Sequence, residues 1–196
     1  MNNFFHISFI LIFIAFFGIR AYYHKKATNS AGEVTYKEGP WHNWLRKMVG
    51  IPFMLYFLFF LIRPSLLDWA RFPLPLWAQW VGLALGLASL PLIWWVQWAL
   101  DINFSVTLHV RDEHTLVTHG PYRWVRHPMY TVLYIHLLAI LLLTANWFVG
   151  GIFLLMQTVI IALRLNNEEA TMLEKFGDDY REYMKHTGRF LPKLGL

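Results

Sequence analysis

The sequence predicts an all-α, polytopic membrane protein with about five transmembrane helices. Three observations carry this. Of its 196 residues, 57% are hydrophobic and only 15% are charged, against about 25% charged in an ordinary soluble domain. The apolar residues gather in runs long enough to cross a bilayer. The basic residues fall almost wholly on one side of the topology those runs define.

The first run, 3–19 (NFFHISFILIFIAFFGI), has neither a basic start nor a small-residue cleavage site, so it is expected to be an uncleaved anchor. Residues 20–43 follow as a loop containing Gly32, Gly39 and Pro40. The second run, 44–62, begins with Arg46 and Lys47, long side chains able to snorkel to the interface. The third, 74–100, is long enough to cross with tilt, and Pro91 should loosen or kink it. Gly82 and Gly86, four apart within it, suit close helix packing. Residues 101–128 form a second loop. The fourth and fifth runs, 129–145 and 147–163, hold 17 residues each, near the lower limit for a hydrocarbon core of roughly 30 Å. Asn146 alone separates them, which demands a tight antiparallel helical hairpin. Residues 166–187 then read as a C-terminal cytoplasmic helix, with Ala170, Leu173, Phe176, Tyr180, Tyr183 and Met184 at helical spacing. Gly177 inside that pattern marks a break.

With the N-terminus outside and five crossings, 15 of the 17 lysines and arginines lie inside; only Arg63 and Arg71 remain outside. That bias predicts an N-out, C-in orientation. The net charge of +5 is therefore a topology signal first and an attraction to anionic lipid second; it does not point to nucleic acid. The whole chain, 1–196, is expected to be one integral membrane domain. Residues 1–75 supply the first two spans and a cytoplasmic loop, and residues 76–196 form a core with the chemically interesting motifs. The expected partner is the lipid bilayer, and the oligomeric state does not follow from the sequence.

Several chemistries are excluded. An 18% aromatic content rules out a disordered chain. With no cysteine there is no disulfide framework and no thiolate catalysis. The chain has no P-loop, no GxGxxG and no nucleophile elbow. His109, His114 and His119 recur every five residues, a spacing that fits neither a helix face nor a strand face, so no metal site is expected.

Three polar clusters converge on the inner face, where ionisable groups at a membrane border are good site candidates. GPYRWVRHPMY, at 120–130, opens the fourth span. RLNNEEATMLEKFGDDYREYMKHTGRFLP, at 164–192, follows the fifth. The hairpin makes these two neighbours. DINFSVTLHVRDEHTLV, at 101–117, leads into the first. His127 precedes Pro128 and is biased away from helical geometry, whereas Pro128 suits a first helical turn. The imidazole thus sits at the mouth of a helix. Taken alone, Arg126 and His127 read first as ordinary interfacial residues, and Arg123 as a lipid-facing positive charge. Glu168 and Glu169 are adjacent carboxylates just beyond a span, with Arg164 one turn before Glu168 and able to pair with it. Opposite a histidine and an arginine, such a carboxylate is suited to bind a ribose diol. His136, inside the fourth span, reads best as a histidine hydrogen-bonded between helices.

Together, LVTHGPYRWVRHPMY, a two-helix hairpin, EE and FGDDYREYMKHTGRFLP resemble the isoprenylcysteine carboxyl methyltransferase family of integral membrane enzymes. The resemblance covers roughly residues 80–193. It implies S-adenosylmethionine as methyl donor, with His127, Tyr130 and Glu168 lining its site. Glu169 and Tyr122 would stand beside them, and backbone around Leu116, Val117 and Gly120 would complete an adenine pocket. It also implies a lipid-like acceptor arriving from the bilayer, most simply the carboxylate of a prenylcysteine. A carboxylate acceptor needs no general base, only a cation to orient it, for which Arg164 or Arg189 are candidates and Arg164, at the membrane boundary, is preferred. An amine acceptor would need Glu168 or His127 to take its proton. The implied membrane is the plasma membrane for a prokaryotic source and the endoplasmic reticulum for a eukaryotic one, with the active site facing the cytoplasm. Three other readings stay open: a phospholipid or amine N-methyltransferase, a nicotinamide-dependent sterol-type reductase relative, and a non-catalytic membrane scaffold. The absence of GxG in the third span and the presence of RHP favour the carboxyl methyltransferase branch.

Overall fold

A computed structural model describes residues 3–29, 57–58, 60–101 and 115–193. Among the described residues all regular elements are helical. Helix α1 spans Asn3–Asn29, α2 Leu76–Leu100, α3 Pro128–Thr144 and α4 Ile152–His186. A short 3-10 segment, Pro64–Ala70, precedes α2, a second, Gly120–Arg123, precedes α3, and a π-helical turn, Trp147–Gly151, leads into α4. Helices α1 and α2, and α4 with its π turn, are long and apolar enough to cross a membrane; α3 is a shorter apolar helix of 17 residues. Of the expected second span, only 57, 58 and 60–62 are described, and these are helical.

Helix α1 runs ten residues past the boundary expected at 19, through what the sequence suggested was loop. The cause is its buried stripe. Phe5, Phe9, Ile12 and Phe16 continue at helical spacing into Tyr23 and Ala27, so the packed face outlasts the purely apolar run. Lys26 in the last turn suits the negative helix end. It also pairs with Asp101 at the end of α2, at 2.5 Å.

Helix α2 lies between α1 and α3, and its glycines allow the approach. A Cβ on Gly82 would stand 2.8 Å from Leu142 Cβ, and one on Gly86 would stand 3.0 Å from Ile12 Cδ1. The helix continues through Pro91. Ser89 Oγ reaches His136 Nδ1 on α3 at 3.0 Å, and the Phe16 ring of α1 stacks on the same imidazole at 3.7 Å. His136 is thus the inter-helix histidine expected from the sequence, here joining three helices.

The α3–α4 hairpin is as tight as its single spacer demands. Ala145 adopts the left-handed conformation (φ 47°) and its N–H returns to Leu141 O at 3.0 Å. Buried Asn146 accepts from Val149 N–H at 2.9 Å and donates to Leu67 O at 2.9 Å. Gly150 lies directly against the Leu141 backbone, with no room for a side chain. Past Leu163 the chain becomes charged, yet α4 continues without interruption to Gly177, where the backbone breaks (φ 54°, ψ −121°) as expected. The buried face differs from the expected stripe. It runs through Ile161, Leu165, Glu169 and Tyr180, and Ala170 is exposed. A carboxylate takes the inward position because cations across the seam neutralise it.

Candidate active site

Gly120 opens the site. Its φ of +59° favours glycine, and a Cβ there would stand 3.1 Å from Ala99 Cβ. The turn it begins packs on the end of α2, with Leu116 partly buried and Val117 buried. Tyr122 is buried in this turn, and burial, with Tyr183 and Glu168 nearby, pushes its phenol well above the ordinary range. The Tyr183 hydroxyl donates to Tyr122 O at 2.6 Å, tying the turn to the far part of α4.

A strap from the C-terminal segment fixes RHP. Arg126 N–H donates to Gly188 O at 2.8 Å and His127 N–H to Arg189 O at 3.0 Å. Gly188 N–H returns to Trp124 O at 3.3 Å, and Thr131 Oγ1 donates to Phe190 O at 2.8 Å. His127, just before Pro128, is held out of helical geometry (φ −124°, ψ 57°), as a following proline favours, and this leaves these groups open to pairing. A Cβ on Gly188 would collide with Leu191 O.

The two carboxylates divide the work. Glu168 accepts from the Tyr130 hydroxyl at 2.7 Å and from Arg164 Nη2 at 3.0 Å. Glu169, its side chain 5% exposed, receives Arg126 Nε at 3.0 Å and Arg189 Nη2 at 2.6 Å. His127 stands between them, with Nδ1 3.8 Å from Glu168 and Nε2 3.4 Å from Glu169. Its ring also stacks with Tyr130, centroids 5.7 Å apart. The His127 hydrogen bond, followed by Arg189 and Arg126, outweighs burial and holds the Glu169 carboxyl at about 2. Burial, with Glu169 adjacent, pushes the Tyr180 phenol up to about 12.

The structure therefore brings together Tyr122, His127, Tyr130, Arg164, Glu168, Glu169 and Arg189. Arg164 and Arg189, expected as acceptor-orienting cations, each pair with a glutamate, Arg164 with Glu168 and Arg189 with Glu169. Arg126 had been given no role by sequence. It is 8% exposed and joins Glu169 to the strap by donating to Thr187 O and Met184 O. Its signal was position alone, one residue before His127. Arg123 is exposed and lies over the Trp124 ring. His109 and His114 fall outside the described residues, and His119 is exposed.

Residues 80–174 match the model of the isoprenylcysteine carboxyl methyltransferase family. That segment belongs to this family. It holds RHP, the hairpin and EE, and it excludes α1 and the strap. The protein-S-isoprenylcysteine O-methyltransferase of Schizosaccharomyces pombe is 35% identical over 99 residues, covering 50% of this chain and 42% of that protein. The enzyme of the same name from Rattus norvegicus is 31% identical over 101 residues, covering 49% and 36%. The alignments thus span less than half of either relative. The solved structure of a eukaryotic intramembrane Ras methyltransferase, ICMT, superposes with a TM-score of 0.54 at 21% identity, covering 95% of this chain and 68% of that one. This likeness establishes the fold, that of an all-α, multi-pass integral membrane protein in a lipid bilayer.

Proposed function

We propose that this chain is a membrane carboxyl methyltransferase that uses S-adenosylmethionine and methylates the carboxylate of a prenylcysteine or a similar lipophilic acid. The supporting observation is the His127 imidazole between Glu168 and Glu169, with Tyr130 hydrogen-bonded to Glu168 at 2.7 Å. Carboxylates, a phenol and an imidazole at a helix mouth suit the hydroxyls, the ammonium and the adenine of the donor. Gly120, at positive φ, keeps the adjoining turn free of a side chain.

In this reading Glu168 accepts from a ribose diol and is aimed by Tyr130 and Arg164. Backbone at Leu116, Val117 and Gly120, with Tyr122, borders the adenine. His127 and Tyr130 line the site, and Glu169 supports it by anchoring Arg126, Arg189 and His127. Bound S-adenosylmethionine supplies an activated sulfonium methyl group, so an O–CH₃ bond forms as the S–CH₃ bond breaks, a neutral thioether leaves and no proton moves. The protein's task is alignment and exclusion of water, which suits a catalytic machinery without a general base. The acceptor enters from the bilayer and the donor from the aqueous side. The basic bias of the loops makes that side cytoplasmic.

Purified protein in nanodiscs, incubated with methyl-labelled donor and an S-farnesylated N-acetylcysteine, tests the reaction class. Label in a base-labile ester supports it. Label in a base-stable N-methyl product from an amine-headed lipid, with none in the ester, would overturn it.

A further inference from the structure

The end of the bundle opposite the RHP–EE site carries a second polar cluster. Roughly 30 Å of α1, the thickness of a hydrocarbon core, separates Asn3 from Tyr23, which packs with Met129 of the RHP helix. At the Asn3 end a cleft of about 110 Å³ is lined by Asn3, His6, Pro64, Ser65, Asp68 and Arg71. The hairpin fixes the segment that closes it. Phe72 N–H donates to Ala145 O at 3.1 Å, and Asn146 Nδ2 donates to Leu67 O at 2.9 Å.

His6 gives the cleft its chemistry. Its Nε2 lies 3.3 Å from Leu61 O. A carbonyl only accepts, so Nε2 carries the hydrogen, and in the neutral ring Nδ1 presents a lone pair. That Nδ1 is buried and has no hydrogen-bond partner among the described residues. A buried acceptor left unpaired is costly and calls for a donor. The Asp68 carboxylate adds a negative charge beside it. Asp68 meets Arg71 Nε in one long contact at 3.3 Å, and its side chain is 55% exposed, so lone pairs remain for a ligand. Acceptors and a carboxylate thus stand next to a guanidinium. Their complement is a ligand that joins an N–H-bearing cation to an anion.

The level of the cleft names the source. Trp69, Trp77, Trp80 and Trp147 are exposed around this end of the bundle. Trp69 packs on Trp147 at 5.5 Å, and Trp80 on Phe5 at 5.4 Å. Exposed tryptophans gather at the headgroup level of a bilayer.

We propose that this cleft binds the phosphoethanolamine headgroup of a bilayer lipid. The primary ammonium donates to His6 Nδ1 and Asp68, with the Asn3 amide oxygen or the Ser65 hydroxyl as a third acceptor. The phosphate meets Arg71. The cleft holds several water-sized groups, enough for the aminoethyl arm. A choline headgroup has no N–H and would leave His6 unpaired, so the cleft selects ethanolamine over choline. These residues stand apart from those of the methyltransferase reading, and the two fail independently.

The test is native mass spectrometry of the full chain in detergent, titrated with phosphatidylethanolamine, phosphatidylcholine and N-acetylated phosphatidylethanolamine of identical acyl chains. Wild type is expected to bind phosphatidylethanolamine about tenfold or more tightly than either other lipid, the ratio one charge-assisted pair supports. Asp68→Asn and His6→Phe should each shrink that ratio. Should His6→Phe not fold, Asp68→Asn, at an exposed position, still decides. Equal binding of the three lipids by wild type overturns the proposal, as does an ethanolamine preference unchanged in Asp68→Asn. Soluble glycerophosphoethanolamine should bind far more weakly than the lipid; equal affinity would overturn the bilayer as the source.

Discussion

His127 and Glu169, 42 residues apart in sequence, meet at 3.4 Å where the RHP segment faces the extension of α4. The contact joins the two halves of the site. It exists because the hairpin folds α4 back along α3 and the strap fixes the backbone at 126 and 127. Since Glu169 is also held by two arginines, it acts as a fixed post against which the imidazole is set. Glu168, one residue away and more open, is left to meet a ligand.

Glu168→Gln should weaken S-adenosylmethionine binding by about ten- to a hundredfold, the cost of hydrogen bonds to a charged group, while thermal stability in detergent changes little. Calorimetry and a melting curve check both. Unaltered donor affinity would remove Glu168 from the donor site.

Glu169 should reveal itself in stability against pH. Its folded pKa is depressed to about 2 from 4.5, so the stabilisation it gives is complete above about 4.5 and is lost as pH falls towards 2. The melting temperature of wild type should drop across that window. Glu169→Gln should melt lower at neutral pH and show a shallower decline. A parallel decline in the two proteins would assign the acid sensitivity elsewhere.

The hairpin makes a packing prediction. Gly150→Ala drives a methyl group into the Leu141 backbone and should destabilise the protein by about 1–3 kcal/mol, seen as a lower melting temperature. Gly151→Ala meets only Trp147 Cβ at 3.9 Å and should be nearly neutral. Equal effects would mean that α3 and α4 are not in contact at Gly150.

The orientation is checked with a reporter fused after residue 196. The loop charges predict a cytoplasmic signal, and an external one would reverse the topology.

Much of this was legible in the sequence because chain connectivity enforces it. A single residue between two 17-residue apolar runs permits only a hairpin, and the hairpin makes RHP and EE neighbours. The Gly82 and Gly86 contacts follow from spacing on one helix face, and the break at Gly177 from a glycine inside a helical pattern. The features missed depend on long-range pairing. The strap at 187–190 has no periodicity, and its backbone bonds to 124–127 leave no trace in composition. The Arg126–Glu169 pair turns a polar residue inward, which no apolar stripe foretells, and it explains why the buried face passes through Glu169 and not Ala170. The extension of α1 past 19 was readable in hindsight, since Tyr23 and Ala27 keep the stripe's spacing, but Arg20 interrupts the apolar run where the helix does not end.

The most direct test of the central claim is calorimetric binding of S-adenosylmethionine to detergent-purified protein, with His127→Ala alongside. The account predicts saturable binding at one site in wild type and its loss in the folded mutant, because the imidazole stands between the carboxylates that form the site. No binding to folded wild type, or equal binding to the mutant, would contradict it.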